Sequence, residues 1–499
     1  MPEMDPTFTA LPLRALADAA LDRARTLGAS HADLRVMRTN VLHRVLRDSR
    51  LESSGDRSEL GLSVRVVHDG SWGFAAGVVL TPEEAARLAE QAVAMATVAR
   101  PLVQRPVELA PEPVHADRIW VSSYQVNPFE VPESDRLGRL TELSERLLAA
   151  DPVHHATTTL LAVQENTFYA DLAGTSTTQQ RVRVEPSLEA VHVGEQGFVT
   201  MSTVAPPAGR GWEYLTGAGW DFDDEVERLP EWLAEHAAAP SVEAGRYDLV
   251  IEPSNLWLTI HESVAHGTEL DRALGYEAAY AGTSFATFDQ LGSLQYGSQH
   301  MTVTGDRVTE HGLATVGYDD EGVAAQSFQI IRDGVLVGYQ LNRQMAQEKG
   351  FGRSNGCAYA DSAGHIPLQR MPNVSLQADP DGPDVADLIS DVDDGIYVVG
   401  NKSWSIDMQR YNFQFTGQRF YRIRDGRLAG QVKDVAYQAT TTEFWGSMDA
   451  VGGPSTYLLA GTFNCGKGQP GQGAPVSHGS PAARFRDVNV LNTSAEGSH

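Results

Sequence analysis

Apolar positions recur with a helical period at Leu13, Leu16, Ala20, Leu21, Ala24 and Leu27, and Gly28 ends the run. Ala32 to Met37, Val41 to Leu46 and Gly61 to His68 read instead as strands. Asp69-Gly70 ahead of Ser71-Trp72-Gly73-Phe74 is a hairpin turn. Thr81-Pro82-Glu83-Glu84 is a capping box that opens a helix to about Ala96. These elements predict an α/β unit over 1–100. Pro101, Pro106, Pro111 and Pro113 disfavour both helix and central strand, so 101–117 is expected to be an extended linker or an edge-crossing segment.

A mostly-β central region follows over 118–240. It has a leucine-rich amphipathic helix from Ser134 to Ala150 and strands at Thr157 to Val163, Thr167 to Asp171 and Thr175 to Val184. A helix around Asp224 to Ala238 closes it. The remainder, 246–490, opens with a strand at Tyr247 to Ile251 and one short helix, then becomes strand-rich. Asp333-Gly334 and Asp425-Gly426 each sit between alternating segments and predict hairpins. The expected class is α+β, ending in a large antiparallel sheet that is closed or strongly curved.

Charge narrows the function. Lys plus Arg number 39 against 65 Asp plus Glu, a net charge of −26. Such a chain is repelled by nucleic acid and by anionic membrane, so neither is expected as a direct partner. No apolar run reaches the roughly 18 residues a membrane helix needs, and Leu11 to Leu27 is broken by charges, unlike a secretory signal. Two cysteines, Cys357 and Cys465, form no disulfide framework, and a cytoplasmic location is expected. Neither a nucleotide-binding glycine fingerprint in the right context nor a Gly-x-Ser-x-Gly elbow is present.

The chemistry concentrates in the short helix. Ser254 is its expected N-cap, and Leu256, Ile260 and Val264 make one apolar stripe. His261 and His266 flank the stripe with Glu262 between them. Two imidazoles and a carboxylate on one segment suggest a metal with a general base. The familiar spacing places the histidines four apart; here it is five, which separates them by roughly 140° on a regular helix. A single π-type turn, or a helix ending near Gly267, would bring them back to one side. Otherwise they are two unrelated histidines on a partly buried helix.

A catalytic zinc usually takes three protein ligands. Cys465, in the glycine-rich Cys465-Gly466-Lys467-Gly468-Gln469 stretch, is the candidate third, with Lys467 favouring the thiolate. A buried structural thiol is the alternative. Cys357 has no adjacent cation and reads as structural. A nearby Tyr hydroxyl or His imidazole could supply an extra oxyanion donor, and the sequence does not rank His300, His311, His365 and His478 for that place.

The His261-Glu262-Ser263-Val264-Ala265-His266-Gly267 segment with Glu269 and Asp271, the Cys465 stretch, Arg370-Met371-Pro372-Asn373, and the early Gly61 to Val66 and Gly70 to Ala75 segments resemble the TldD branch of the TldD/PmbA metalloprotease family. The added Pro470-Gly471 departs from that pattern. The resemblance implies a C-terminal metallopeptidase domain with Zn²⁺ held by His261, His266 and Cys465 and with Glu262 as general base. It implies a peptide substrate that is unfolded or extended, and a role in peptide maturation or in degrading labile small proteins. It also implies a PmbA/TldE-like partner subunit lacking the metal motif, or a homodimer. A zinc-containing scaffold without peptidase activity is the rival. A zinc deaminase is disfavoured because no Cys-x-x-Cys occurs.

Overall fold

The strands expected separately at Ala32 to Met37 and Val41 to Leu46 run as one, His31–Arg47, in the computed structural model, which describes residues 3–195 and 197–496. No glycine or proline interrupts that stretch. It pairs along its length with Arg50–His68 on one side and His155–Asp171 on the other. Ser71–Gly77, Ser176–Gly194, Arg118–Val121 and Gly197–Ser202 complete a seven-stranded sheet. The strands expected in the first two regions therefore hydrogen-bond in one sheet, while the packing remains divided. Helices Leu13–Thr26 and Pro82–Ala99 bury Leu16, Ala20, Leu88 and Ala92 against Leu34 and Val64 on one half. Helices Glu133–Leu148 and Phe222–Ala238 bury Leu140, Leu143 and Leu229 against Leu42 and Leu160 on the other. Thr81 caps its helix by accepting from Glu84 N at 3.3 Å. A Cβ at Gly73 would sit 1.8 Å from Ala92 O, so only glycine lets the hairpin lie this close to that helix.

The proline-rich stretch is a strap against the C-terminal part. Ala110 N donates to Arg343 O at 3.1 Å, and Glu112 pairs with Arg353 at 2.8 Å.

The large C-terminal sheet closes on itself. Gly245–Ile251, Ala483–Asn492, Val435–Thr440, Asn412–Arg424 and Asp394–Ile406 bond in that order, and the last returns to the first. The closing pair is parallel, a departure from the all-antiparallel expectation. It arises because the chain leaves Gly245–Ile251 through the His-bearing helix and returns only after a long excursion. Both expected hairpins form, with Asp333 and Gly334 at φ 48 and 80 and Asp425 and Gly426 at φ 46 and 73, the backbone that Asp-Gly turns supply. Ile251, Ile396, Val398, Phe413, Phe415, Tyr437 and Val490 belong to a core shared with Leu256, Ile260 and Val264. That packing fixes the helix rigidly at the end of a barrel strand. No helix among the described residues is long and apolar enough to cross a membrane.

Candidate metal centre

Pro253–Ile260 is a regular α-helix. Its N-cap is Glu252 rather than the expected Ser254. Pro253 at the first position has no N–H to satisfy, and the Glu252 carboxylate accepts from Ser254 N at 3.0 Å. The Ser254 hydroxyl also donates to Glu252 and accepts from Gly400 N at 2.8 Å, tying the helix start to the barrel.

At His261 the backbone widens. His261–Ala265 is a π-helical turn, and His266 N donates to His261 O across five residues. The two imidazole rings thereby come to 4.7 Å between centroids. Carbonyls displaced from regular bonding must find other donors. Tyr296 Oη donates to Ser263 O at 2.5 Å. Gln340 Nε2 donates to Ala265 O at 2.5 Å, and Thr268 Oγ1 donates to Val264 O at 2.9 Å. Side chains from distant segments thus support the turn that aligns the histidines.

Cys465 completes the group. Donor atoms of His261, His266 and Cys465 all lie within 4.8 Å of one another, and all three residues are buried. Cys465 is on a strand, Leu458–Lys467, paired with Gln472–Ser480, so the expected loop shrinks to 468–471. The register slips between Thr462 and Cys465, a bulge immediately before the thiol. Bulges re-aim side chains, and they recur beside functional sites. Cys465 Sγ is 3.7 Å from His266 Nε2.

Hydrogen bonds fix which nitrogens are free. His478 Nδ1 lies 2.9 Å from Val374 O, a pure acceptor, so that nitrogen carries the proton. His478 Nε2 must then accept from His261 Nδ1, at 2.7 Å, leaving the His261 Nε2 lone pair available. His266 Nδ1 donates to Glu269 Oε2 at 2.9 Å, leaving its own Nε2 free. Burial holds His261 well below the usual imidazole range and takes His266 down to about 3 and His478 to about 4. All three are neutral near pH 7, the form that binds metals. Burial pushes the Cys465 thiol up to about 11, so a cation would have to displace its proton. Lys467 favours the thiolate as expected, but it and Arg370 are outweighed by burial and by the charges of Glu269 and Glu262. The Lys467 Nζ is committed to Asp271 at 2.8 Å, Glu277 at 2.9 Å and Glu269 at 3.1 Å. Burial opposes ionised Glu269, but Lys467, His266 and Arg272 outweigh it and hold that carboxyl well below its usual range. Two aligned imidazoles and a thiol, each with a partner or neighbour behind it, suit a metal ion.

The three side chains open onto a cleft of about 640 Å³ whose walls include Glu262, Trp404, Arg410, Thr203 and Pro206. Arg410 Nη1 donates to Glu262. Burial raises the Glu262 carboxyl, against the pull of Arg410.

Two family models match this chain: "PmbA/TldA metallopeptidase C-terminal domain" over residues 244–492 and "PmbA/TldA metallopeptidase domain 1" over residues 32–96. The chain belongs to the TldD/PmbA family. It is 27% identical over 463 residues to a metalloprotease of Methanothermobacter thermautotrophicus, covering 93% of this chain and 96% of that one. A zinc metalloprotease TldD homolog of Saccharolobus solfataricus is 21% identical over 474 residues, covering 94% and 98%. Among solved structures, a Thermotoga maritima protein described as a modulator of DNA gyrase superimposes with a TM-score of 0.76 at 15% identity, covering 95% and 99%. TldE of Thermococcus kodakarensis gives 0.71 at 15%, covering 95% and 99%. The structural likenesses establish the fold. The family models and the curated relatives place this TldD/PmbA member among metallopeptidases.

Within this family member, sequence reasoning left one site residue unranked and missed another. His478 is 217 positions from His261, and no spacing rule links them. Arg410 lies in the turn between Asp394–Ile406 and Asn412–Arg424 and carries no motif. His300, His311 and His365 lie outside the cluster. Cys357 is buried, its thiol pushed up to about 12 by that burial, and it takes no part in the donor group.

Proposed function

We propose that this chain is a zinc peptidase that hydrolyses unfolded or extended peptides. The observation that carries the reading is the convergence of His261, His266 and Cys465 at the floor of a cleft with Glu262 in its wall. One thiol and two imidazoles suit zinc, and the zinc named for the Saccharolobus solfataricus relative supports the choice. His261 and His266 would hold the ion through Nε2 and Cys465 through Sγ. A bound zinc supplies Lewis acidity, polarising a carbonyl and making a water acidic enough to ionise near neutral pH.

The residues do the rest. Glu262 accepts the proton of the attacking water and passes it to the leaving amine. His478 and Glu269 hold the two imidazoles in the productive tautomer. Leu458–Lys467 pairs only with Gln472–Ser480 among the described residues, so no strand covers its other edge, and Ala460, Gly461, Thr462 and Asn464 line the cleft. An extended peptide can add to that edge through backbone bonds, whereas a folded protein presents no such strand. The name of the TldE neighbour supports assembly with a TldE-like subunit, with a homodimer as the alternative. Catalysis in the cytoplasm, on labile or maturing peptides, follows from the same reading.

The test combines metal analysis with cleavage of an unstructured peptide library. About one zinc per chain, lost together with activity in Cys465→Ala, is the expected result. Stoichiometric zinc in that variant would reassign the third ligand, and wild-type zinc without cleavage would favour the scaffold reading.

A further inference from the structure

Arg410 is a long side chain in a place that normally excludes one. Its φ is 64, in the left-handed region. Seven of the ten non-glycine residues with positive φ among the described residues are aspartates, which tolerate that backbone; Arg410 is the only one with a long chain. The conformation is held from several directions. Asp407 accepts from Gln409 N, Tyr411 N and Asn412 N at 3.1, 2.8 and 3.0 Å. Thr441 Oγ1 donates to Arg410 O at 2.7 Å. Thr283 N and Phe285 N donate to Met408 O and Gln409 O at 3.0 and 2.9 Å. Strained backbone that is over-determined by its surroundings points to a use for the side chain it presents.

The guanidinium faces the reaction centre. Arg410 shares the cleft wall with His261, Glu262, His266 and Cys465, and it is the only lysine or arginine lining that cleft among the described residues. No tyrosine lines it either. Nη1 reaches Glu262, while Nε is buried with no hydrogen-bond partner. The side chain keeps 14% of its surface exposed, and donors at that open edge can meet charge that develops only during reaction.

We propose that Arg410 is the oxyanion-stabilising catalytic residue of this site, donating to the scissile carbonyl oxygen. The inference rests on the peptidase reading above. As the water oxygen bonds to the carbonyl carbon, the water proton moves to Glu262 and the C=O π pair moves onto the carbonyl oxygen, where Arg410 N–H donors meet it. Collapse of that oxyanion breaks the C–N bond, and the proton on Glu262 leaves with the amine. The products are one acid and one amine per water consumed. Pairing with Glu262 before substrate arrives keeps the guanidinium oriented, and its positive charge is permanent, so no proton transfer is needed at Arg410.

The test compares wild type with Arg410→Asn and Arg410→Lys. Asparagine suits the left-handed backbone, so the turn survives while the charge is lost. Zinc content should be unchanged in both. With Arg410→Asn, kcat should fall about 10²- to 10³-fold with KM nearly constant. Calorimetry should show a phosphinic peptide, which mimics the tetrahedral oxyanion, binding weaker by a comparable factor while a product peptide binds as before. Millimolar guanidinium should restore part of the rate. Unchanged or increased kcat in Arg410→Asn would overturn the role and leave Arg410 a restraint on Glu262. A loss confined to KM, and to peptides with a free terminal carboxylate, would overturn it in favour of substrate anchoring. Wild-type protein that neither cleaves peptides nor binds the phosphinate would remove the peptidase reading and this role together.

Discussion

His478 Nε2 lies 2.7 Å from His261 Nδ1, and the Val374 carbonyl behind His478 fixes the direction of the proton between them. This relay sets the lone pair of His261 toward Cys465 and His266 before any ion arrives. His478→Phe removes the acceptor and leaves a buried N–H unpaired. Metal affinity, measured by competition with a chromophoric chelator, is expected to drop about 10- to 100-fold without loss of fold. Equal affinity would mean that His261 holds its tautomer unaided.

Glu262 is next to His261 in sequence but points elsewhere. On a helix, adjacent side chains diverge by roughly 100°, and here Glu262 reaches Arg410 rather than the donor group. Glu262→Gln is expected to keep full zinc and lose peptide hydrolysis by about 10²- to 10⁴-fold. A purely structural ion pair with Arg410, by contrast, would leave turnover untouched. Wild-type turnover in a zinc-loaded Glu262→Gln protein would defeat the assignment.

Trp404 is an aromatic that is 53% exposed in the cleft wall. Its ring is open to the cleft, where an aromatic face can pack on a bound peptide, and its side chain also hydrogen-bonds Glu262. Trp404→Ala should raise KM several-fold for unstructured peptides while leaving zinc content and thermal midpoint unchanged. A thermal midpoint that falls with no change in KM would make Trp404 a packing residue.

Glu165 lies buried between Arg181 and Arg183, at 3.1 Å from the latter. Burial alone would push its carboxyl up, but the two guanidinium charges outweigh that and hold it below the usual range. A carboxyl depressed in the folded state contributes stability that is fully present above its unfolded value, about pH 4.5, and is lost as pH falls through the folded value. Glu165→Gln leaves two buried arginines uncompensated, at a cost of about 3 to 5 kcal/mol near neutral pH. Denaturant titrations should show that gap narrowing as the pH drops below about 4.5. A gap independent of pH would place the effect in packing instead.

The local elements were legible in the chain because their causes are local. Thr81-Pro82 starts a helix, Asp333-Gly334 and Asp425-Gly426 turn hairpins, and Leu256, Ile260 and Val264 mark a buried face, each through neighbours a few residues away. The five-residue spacing of His261 and His266 offered a π-type turn as one way to align them, and the backbone takes that way. Tertiary structure decided what distance along the chain conceals. The union of the first two regions in one sheet depends on His31–Arg47 meeting His155–Asp171, and barrel closure on a parallel pair formed across a long excursion. Ser254 lost the cap to Glu252 because a preceding proline moved the first free amide. Lys467 favours the Cys465 thiolate from two residues away, but its Nζ is also held by three buried carboxylates of another segment, and burial of the thiol outweighs it. His478 and Arg410 entered the site through contacts made only when strands far apart in sequence pack together. Hydrogen bonds and charge pairs depend on distance in space, which periodicity and spacing do not encode.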